Sequence, residues 1–242
     1  MSESVGRGAL VVALVNRLNE GQTVVVYGPP GIGKSTLLDA IRSQVLQREI
    51  PCGLAVRTAQ LSDIPRALAS AYPHVAHCLP QRILRSRLRD AVQQRPGVLL
   101  LDHFRGCGTA TKGFLRSLRG TGLGILIAAD TFAERDHTSL RALCLSSIEI
   151  RVPPLGLRYQ RELWHRWVTA QHLSLSRADT DAVLKLADGR PGYLEFMANV
   201  LANRSRLDGS RPLIHTAHVD VIAKLAQVDV TPRVSQEDHG DR

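Results

Sequence analysis

The segment best suited to chemistry is a glycine-rich turn, Gly28-Pro29-Pro30-Gly31-Ile32-Gly33-Lys34-Ser35-Thr36. Glycines let the backbone fold tightly enough for successive N–H groups to point at one anion. A helix that begins near Gly33 would present its positive end to the same anion. We therefore predict that this turn binds the phosphates of ATP or a close relative, with Mg²⁺ as the accompanying metal ion.

Three side chains of the turn have separate predicted roles. The spacing Gly28-x-x-x-x-Gly33-Lys34-Ser35 is the Walker A pattern, in which the lysine reaches the β- and γ-phosphates. The Ser35 hydroxyl completes the Mg²⁺ shell, and Thr36 is expected to contact the α-phosphate. The pattern lies between an apolar strand and an amphipathic helix, which is the setting that a phosphate-binding loop requires.

An acidic residue, Asp102, directly follows the apolar run 98–101. A carboxylate there would lie at the carboxyl edge of a parallel sheet, so we predict Asp102 as a catalytic residue and as a second ligand of the metal held by Ser35. The next residue is His103, where many ATPases of this architecture have a glutamate that polarises water. Imidazole can act as a base near neutral pH, or it can simply pack at the surface. We expect slow or partner-dependent hydrolysis.

Apolar periodicity predicts strands that alternate with helices as far as Pro153-Pro154. This alternation is typical of an α/β domain, with a parallel sheet that helices cover on both faces. Only helical patterns follow Pro154. The predicted strands are 23–27, 53–57, 98–101, 125–129 and 148–152, and the predicted helices are 9–19, 34–48, 64–71, 81–94, one that ends near 119, 133–145, 158–172, 178–187, 192–205 and 213–227.

These patterns divide the chain into three predicted parts. Residues 1–154 form a nucleotide-binding core, residues 155–227 form an all-helical lid, and residues 228–242 form a polar, disordered tail.

The composition restricts the class of protein. Of 242 residues, 44% are hydrophobic, which is enough for a sizeable core. The four cysteines lack paired spacing, which argues against a disulfide framework or a zinc ribbon and favours a reducing compartment. The chain begins without a signal-peptide pattern, and its apolar runs are too short to span a membrane. We expect a cytoplasmic protein without membrane contact.

The chain is strongly basic, with 31 Lys and Arg against 22 Asp and Glu, a net charge of +9 and an isoelectric point near 10.0. This balance favours polyanion partners such as double-stranded DNA. The alternative is that a GC-rich genome encodes arginine at surface positions where any cation would serve, which would give the same excess. Arg82, Arg85 and Arg89 fall on one face of a predicted helix. That face is either a phosphate-backbone contact or a solvated surface partly paired with acids such as Asp90.

Four stretches together resemble the AAA+ ATPases, particularly the branch with the STAND signalling ATPases and the origin-recognition-like initiators. The resemblance implies a P-loop sheet in the order 5-1-4-3-2 and a helical lid. It also implies nucleotide contacts from Val5, Gly6 and Arg7 beside the adenine and from Arg190 and Pro191 in the lid. The four stretches are Val5-Gly6-Arg7 with the helix after it, GPPGIGKST, VLLLDH, and VPPL together with the turn Asp188–Leu194.

The sequence departs from that family pattern at several positions. Gly8 and Ala9 follow Arg7, so the first stretch lacks its usual acid. The fourth strand is followed by Asp130 and Thr131, either of which could be the residue that senses the γ-phosphate; we assign Thr131 to the catalytic set. Family members often supply an arginine to a neighbour's nucleotide. The candidates Arg116, Arg119 and Arg135 are not distinguished by the sequence.

Three functions are compatible with these observations. The first is an AAA+ switch that forms homo-oligomers and acts on DNA, like initiator-loading or transposition-targeting ATPases. The second is a regulatory or defence adaptor that binds ATP and recruits a protein partner with little turnover. The third is a small kinase, which the all-helical segment after Pro154 disfavours.

Overall fold

The computed structural model describes residues 6–56, 62–76, 78–104, 108–130, 147–208 and 214–230. The chain divides into two compact units, Met1–Pro154 and Leu155–Arg242. No helix within the described ranges is long and apolar enough to cross a membrane.

The first unit is built on a parallel sheet whose five strands have the order β2-β3-β4-β1-β5. This order confirms the arrangement 5-1-4-3-2 that the family resemblance implies. The wholly apolar runs fit interior positions in it, because a central strand of a covered parallel sheet is buried on both faces. The central strands β3 and β4 are buried along their whole length. The strands are β1 (Thr23–Tyr27), β2 (Cys52–Ala55), β3 (Val98–Leu101), β4 (Gly124–Ala129) and β5 (Ile148–Arg151).

Helices cover both faces of this sheet, and side chains that alternate along each strand supply two separate cores. On one face Val25, Leu99 and Ile127 pack with α3, α4 and α5; on the other Val24 and Leu100 pack with α1 and α2. The two-residue period of a strand makes this division possible. The helices are α1 (Gly8–Asn19), α2 (Lys34–Gln47), α3 (Asp63–Ala69), α4 (Gln81–Gln94) and α5 (Thr109–Ser117).

Strand register determines which residues meet at the carboxyl edge of the sheet. Tyr27 of β1 lies opposite Ala129 of β4, and Leu101 of β3 lies opposite Ile127 of β4. The residues that directly follow these three neighbouring strands are therefore brought to one edge. Ligands of open α/β sheets bind at this edge.

The second unit is helical and has its own core, in which Trp164, Tyr193 and Met197 are almost completely buried. The Tyr193 hydroxyl lies 2.5 Å from His218 Nδ1, and burial raises the pKa of Tyr193 to about 12. Its helices are α6 (Leu157–Ala170), α7 (Arg177–Ala187), α8 (Pro191–Asp208) and α9 (Ile214–Val230).

Most element boundaries fall within a few residues of the sequence prediction. The bounds of α4 coincide with the predicted 81–94, whereas α3 ends at Ala69 and α8 continues to Asp208. The predicted helix 133–145 and residues 231–242 of the predicted tail lie outside the described residues.

Candidate functional site

The turn between β1 and α2 has a backbone that requires its glycines. Gly31 has φ of 76° and Gly33 has φ of 91°, both in the left-handed region that L side chains rarely adopt. A Cβ atom on Gly28 would lie 3.2 Å from Cγ2 of Ile32, so a side chain there would crowd the turn. Ile32 is itself buried among the side chains that pack on α1 and α2. The glycine spacing predicted from sequence thus has a direct conformational cause.

The helix after the turn begins at Lys34, with Gly33 as N-cap. Glycine has no side chain that could cap the helix, and no acidic residue lies in the first turn. The first N–H groups of a helix lack intrahelical acceptors and carry a partial positive charge. Such an end fits a phosphate group, and an acidic first turn would have opposed one.

Lys34 lies at the centre of the site, and its side chain is only 6% exposed. Its Nζ donates to the carbonyl oxygens of Gly28 at 2.6 Å and Pro29 at 3.2 Å, and it forms an ion pair with Oδ1 of Asp130 at 2.7 Å. An ammonium group has three N–H donors, and each has one of these acceptors within reach. The lysine therefore connects the turn to the end of β4.

Asp102, His103 and Ser35 meet beside the turn. His103 Nε2 lies 3.5 Å from Ser35 Oγ and 3.8 Å from Oδ2 of Asp102, so one imidazole nitrogen borders both predicted metal ligands. The backbone N–H of His103 donates to Oδ1 of Asp102 at 2.9 Å. His103 has φ of 48°, a left-handed conformation that is uncommon for a residue with a side chain.

The oxygen atoms of Ser35 and Asp102 are of the kind that binds Mg²⁺. A hydroxyl and a carboxylate are the hard oxygen ligands that this ion takes, and it usually keeps several water molecules as well. In the part of the chain that the structure describes, no three His, Cys, Asp or Glu side chains are grouped to hold a metal. That Ser35 and Asp102 bind such an ion, together with phosphate oxygens, stays a prediction.

Arg7 connects the turn to a segment that is distant in the sequence. Its Nη1 donates to the Gly33 carbonyl at 3.3 Å and its Nη2 donates to the Pro153 carbonyl at 3.0 Å. The residue is 7% exposed, its Nε has no partner among the described residues, and burial lowers the pKa of Arg7. Arg7 therefore ties the turn to the segment after β5. Its contact with the nucleotide, like that of Gly6, stays a prediction.

The remaining predicted residues are placed as follows. Pro29 and Thr36 are exposed on the turn and on α2, and Pro30 is half-buried. Arg190, in the second unit, donates to the carbonyls of Leu186 and Ala187, and Pro191 is the first residue of α8. Arg190 thus caps the carbonyl end of α7, a structural role that leaves its predicted nucleotide contact untested. Val5, Thr131 and Arg135 lie outside the described residues.

Asp130 is the site residue that the sequence indicated least clearly. The sequence leaves Asp130 and Thr131 as alternatives for a γ-phosphate sensor, and the structure pairs Asp130 with Lys34. The available signal was its position directly after β4, the strand beside β1 in the sheet. Side chains that follow neighbouring parallel strands lie at one edge.

The fold and this turn define a protein of the P-loop nucleotide-binding class. A family model described as the AAA ATPase domain matches residues 3–185. The chain belongs to this AAA ATPase domain family. No curated protein sequence matches it at a significant level.

Several solved structures share the fold at low sequence identity. Domain III of the Thermotoga maritima replication initiation protein DnaA has a TM-score of 0.54 and 14% identity, over 93% of this chain and 94% of that chain. The Aeropyrum pernix Orc1 protein in complex with DNA has a TM-score of 0.57 and 14% identity, over 93% and 66%. The AMPPCP-bound DnaA from Aquifex aeolicus has a TM-score of 0.50 and 15% identity, over 93% and 88%.

Replacing Arg7 by alanine should destabilise the first unit, because two partly buried hydrogen bonds from a charged group are lost and two carbonyls lose a donor. We expect the free energy of unfolding to fall by about 2–3 kcal/mol. Urea unfolding followed by circular dichroism measures this change. Exposed Arg17 of α1 provides the matched control, and Arg17→Ala should change stability by less than about 0.5 kcal/mol. Equal effects of the two substitutions would contradict the role of Arg7.

Proposed function

We propose that the protein is a nucleotide-dependent switch that binds ATP with Mg²⁺ at the turn between β1 and α2. One observation carries the proposal: the buried Lys34 ammonium lies within a glycine turn at the uncapped start of α2. This places a fixed positive charge and several N–H donors around one point. The Aquifex aeolicus DnaA, which is similar in fold, was solved with the ATP analogue AMPPCP bound.

Each part of the site has a distinct task in this proposal. The N–H groups of the turn and the first turn of α2 bind and orient the phosphates. Lys34 neutralises charge on the β- and γ-phosphates. Ser35 and Asp102 hold Mg²⁺, which supplies further positive charge when bound. Asp102 is itself held in place by the backbone N–H of His103.

We further propose that hydrolysis is slow or needs a partner. The residue after Asp102 is His103, and its Nε2 borders the Ser35 hydroxyl and the Asp102 carboxylate. A carboxylate at this position would polarise the attacking water, and His103 replaces it with a side chain of different geometry and charge. This arrangement favours a protein that changes state on binding nucleotide and turns it over rarely.

The partner that we propose is double-stranded DNA, and α4 carries the surface. Arg82 and Arg89 are exposed and seven residues apart, so they lie on the same side of the helix. Arg85, the third arginine of the predicted face, is instead half-buried, with its guanidinium 5.6 Å from the centre of the Phe114 ring. The Aeropyrum pernix Orc1 structure, which shares the fold, was solved with DNA. The proposed contact thus rests on Arg82 and Arg89, with Arg85 anchoring the helix.

Nucleotide-dependent self-association is part of the same proposal. Arg116 at the end of α5 is exposed and could reach the nucleotide of a neighbouring copy. A second candidate function is a regulatory or defence-type ATP-binding adaptor that recruits a protein partner with little turnover, which the position of His103 favours equally. The two candidates differ in whether the protein binds DNA.

Replacing Lys34 by alanine should weaken ATP binding by about 100-fold or more, because the buried cation of the turn is removed. Isothermal titration calorimetry with ATP and Mg²⁺ measures the affinity. Lys185 is exposed on α7 and provides the matched control, so Lys185→Ala should bind ATP like the unchanged protein. Unaltered affinity of Lys34→Ala would contradict the proposed nucleotide site.

Replacing both Arg82 and Arg89 by alanine should weaken binding to duplex DNA and make it less sensitive to salt. Each lost phosphate contact lowers the slope of log affinity against log salt concentration by about 0.9, so we expect a change of about 2. Fluorescence anisotropy at several salt concentrations, with and without ATP, measures this slope.

The matched control replaces Arg17 and Arg42, which are exposed on α1 and α2, and removes the same net charge. It should leave the slope nearly unchanged. If the unchanged protein bound DNA only weakly, and with the same affinity in the presence and absence of ATP, the adaptor function would be favoured instead.

A further inference from the structure

Asp130 pairs with Lys34, the cation to which the proposed nucleotide would bind. It directly follows β4, and its Oδ1 lies 2.7 Å from Lys34 Nζ. The Asp130 side chain is 23% exposed and that of Lys34 is 6% exposed, so water screens the ion pair only weakly. The pair joins the phosphate-binding turn to the strand beside it.

The coordination of Lys34 leaves little room for an additional acceptor. Its three N–H donors have the carbonyls of Gly28 and Pro29 and the carboxylate of Asp130 within reach. The two carbonyls belong to the turn itself, so they stay beside Lys34 as long as the turn keeps this shape. A phosphate oxygen that reaches Lys34 must therefore share the ammonium with the Asp130 carboxylate or displace it.

The competition is between two anions, which makes it unequal for different nucleotides. The lysine of a Walker A turn reaches the β- and γ-phosphates, so a triphosphate brings one more charged group to Lys34 than a diphosphate does. A carboxylate a few ångströms from that group repels it, and the repulsion grows where water is excluded. A diphosphate meets less of this repulsion because its charge ends at the β-phosphate.

We propose that Asp130 determines the nucleotide preference of this site, because its carboxylate competes with the γ-phosphate for Lys34 and lowers the affinity for ATP relative to ADP. The inference rests on the proposed nucleotide binding and adds a residue that sets its specificity. It makes the chain a switch biased toward its diphosphate state, from which ATP must displace an internal anion.

The test is the ratio of ATP to ADP affinity, measured by isothermal titration calorimetry with Mg²⁺. Asp130→Asn keeps the shape and removes the charge, and we expect it to shift the ratio toward ATP by about tenfold. Asp130→Glu keeps the charge and should shift the ratio far less. Asp39→Asn alters the net charge equally, but Asp39 is exposed on α2, so the ratio should stay that of the unchanged protein.

The outcomes separate this inference from the proposed function. Equal weakening of ATP and ADP by Asp130→Asn would show that Asp130 only supports the turn, and it would overturn the inference, as would an unchanged ratio. If the unchanged protein bound neither nucleotide, the proposed function would fall together with it. Asp130→Thr is a second neutral variant, to be used if thermal melting shows that Asp130→Asn does not fold.

Discussion

The buried ammonium group of Lys34 is the charge on which the rest of the site depends. A buried cation is costly unless its donors are paired, and the turn meets this requirement with two of its own carbonyls and a carboxylate from the end of β4. The shape of the turn, the start of α2 and the position of Asp130 are therefore linked through one side chain. A ligand that takes hold of Lys34 must alter these contacts together.

The parallel sheet brings the residues of the site together around Lys34. Register places the ends of β1, β3 and β4 at one edge, and two apolar cores hold the strands from either face. Asp102 and Asp130 reach the turn because β3 and β4 are neighbours and β4 lies directly beside β1. Arg7 adds a connection from the start of the chain to Gly33 and Pro153. Strand order and buried polar contacts thus both hold the site residues close to the turn.

The fold could be predicted from local patterns because its signals are strong and short in range. The run 98–101 is wholly apolar and forms a wholly buried strand, and the helical spacing of 81–94 is that of α4. The order of the strands came from the family resemblance, since periodicity does not encode which strands are neighbours. The ion pair of Lys34 with Asp130 and the capping of α7 by Arg190 could not be predicted. The partner of a long side chain such as that of Lys34 or Arg190 depends on which groups the tertiary structure brings within its reach.

The central claim is that backbone N–H groups of the turn and the first turn of α2 bind phosphate. Hydrogen–deuterium exchange tests it most directly, with ATP, ADP or adenosine added to the protein in the presence of Mg²⁺. We predict that ATP and ADP slow exchange in peptides that cover residues 28–37, whereas adenosine, which has no phosphate, leaves them unchanged. Protection that appeared elsewhere but not in these peptides, or that adenosine produced equally, would contradict the account.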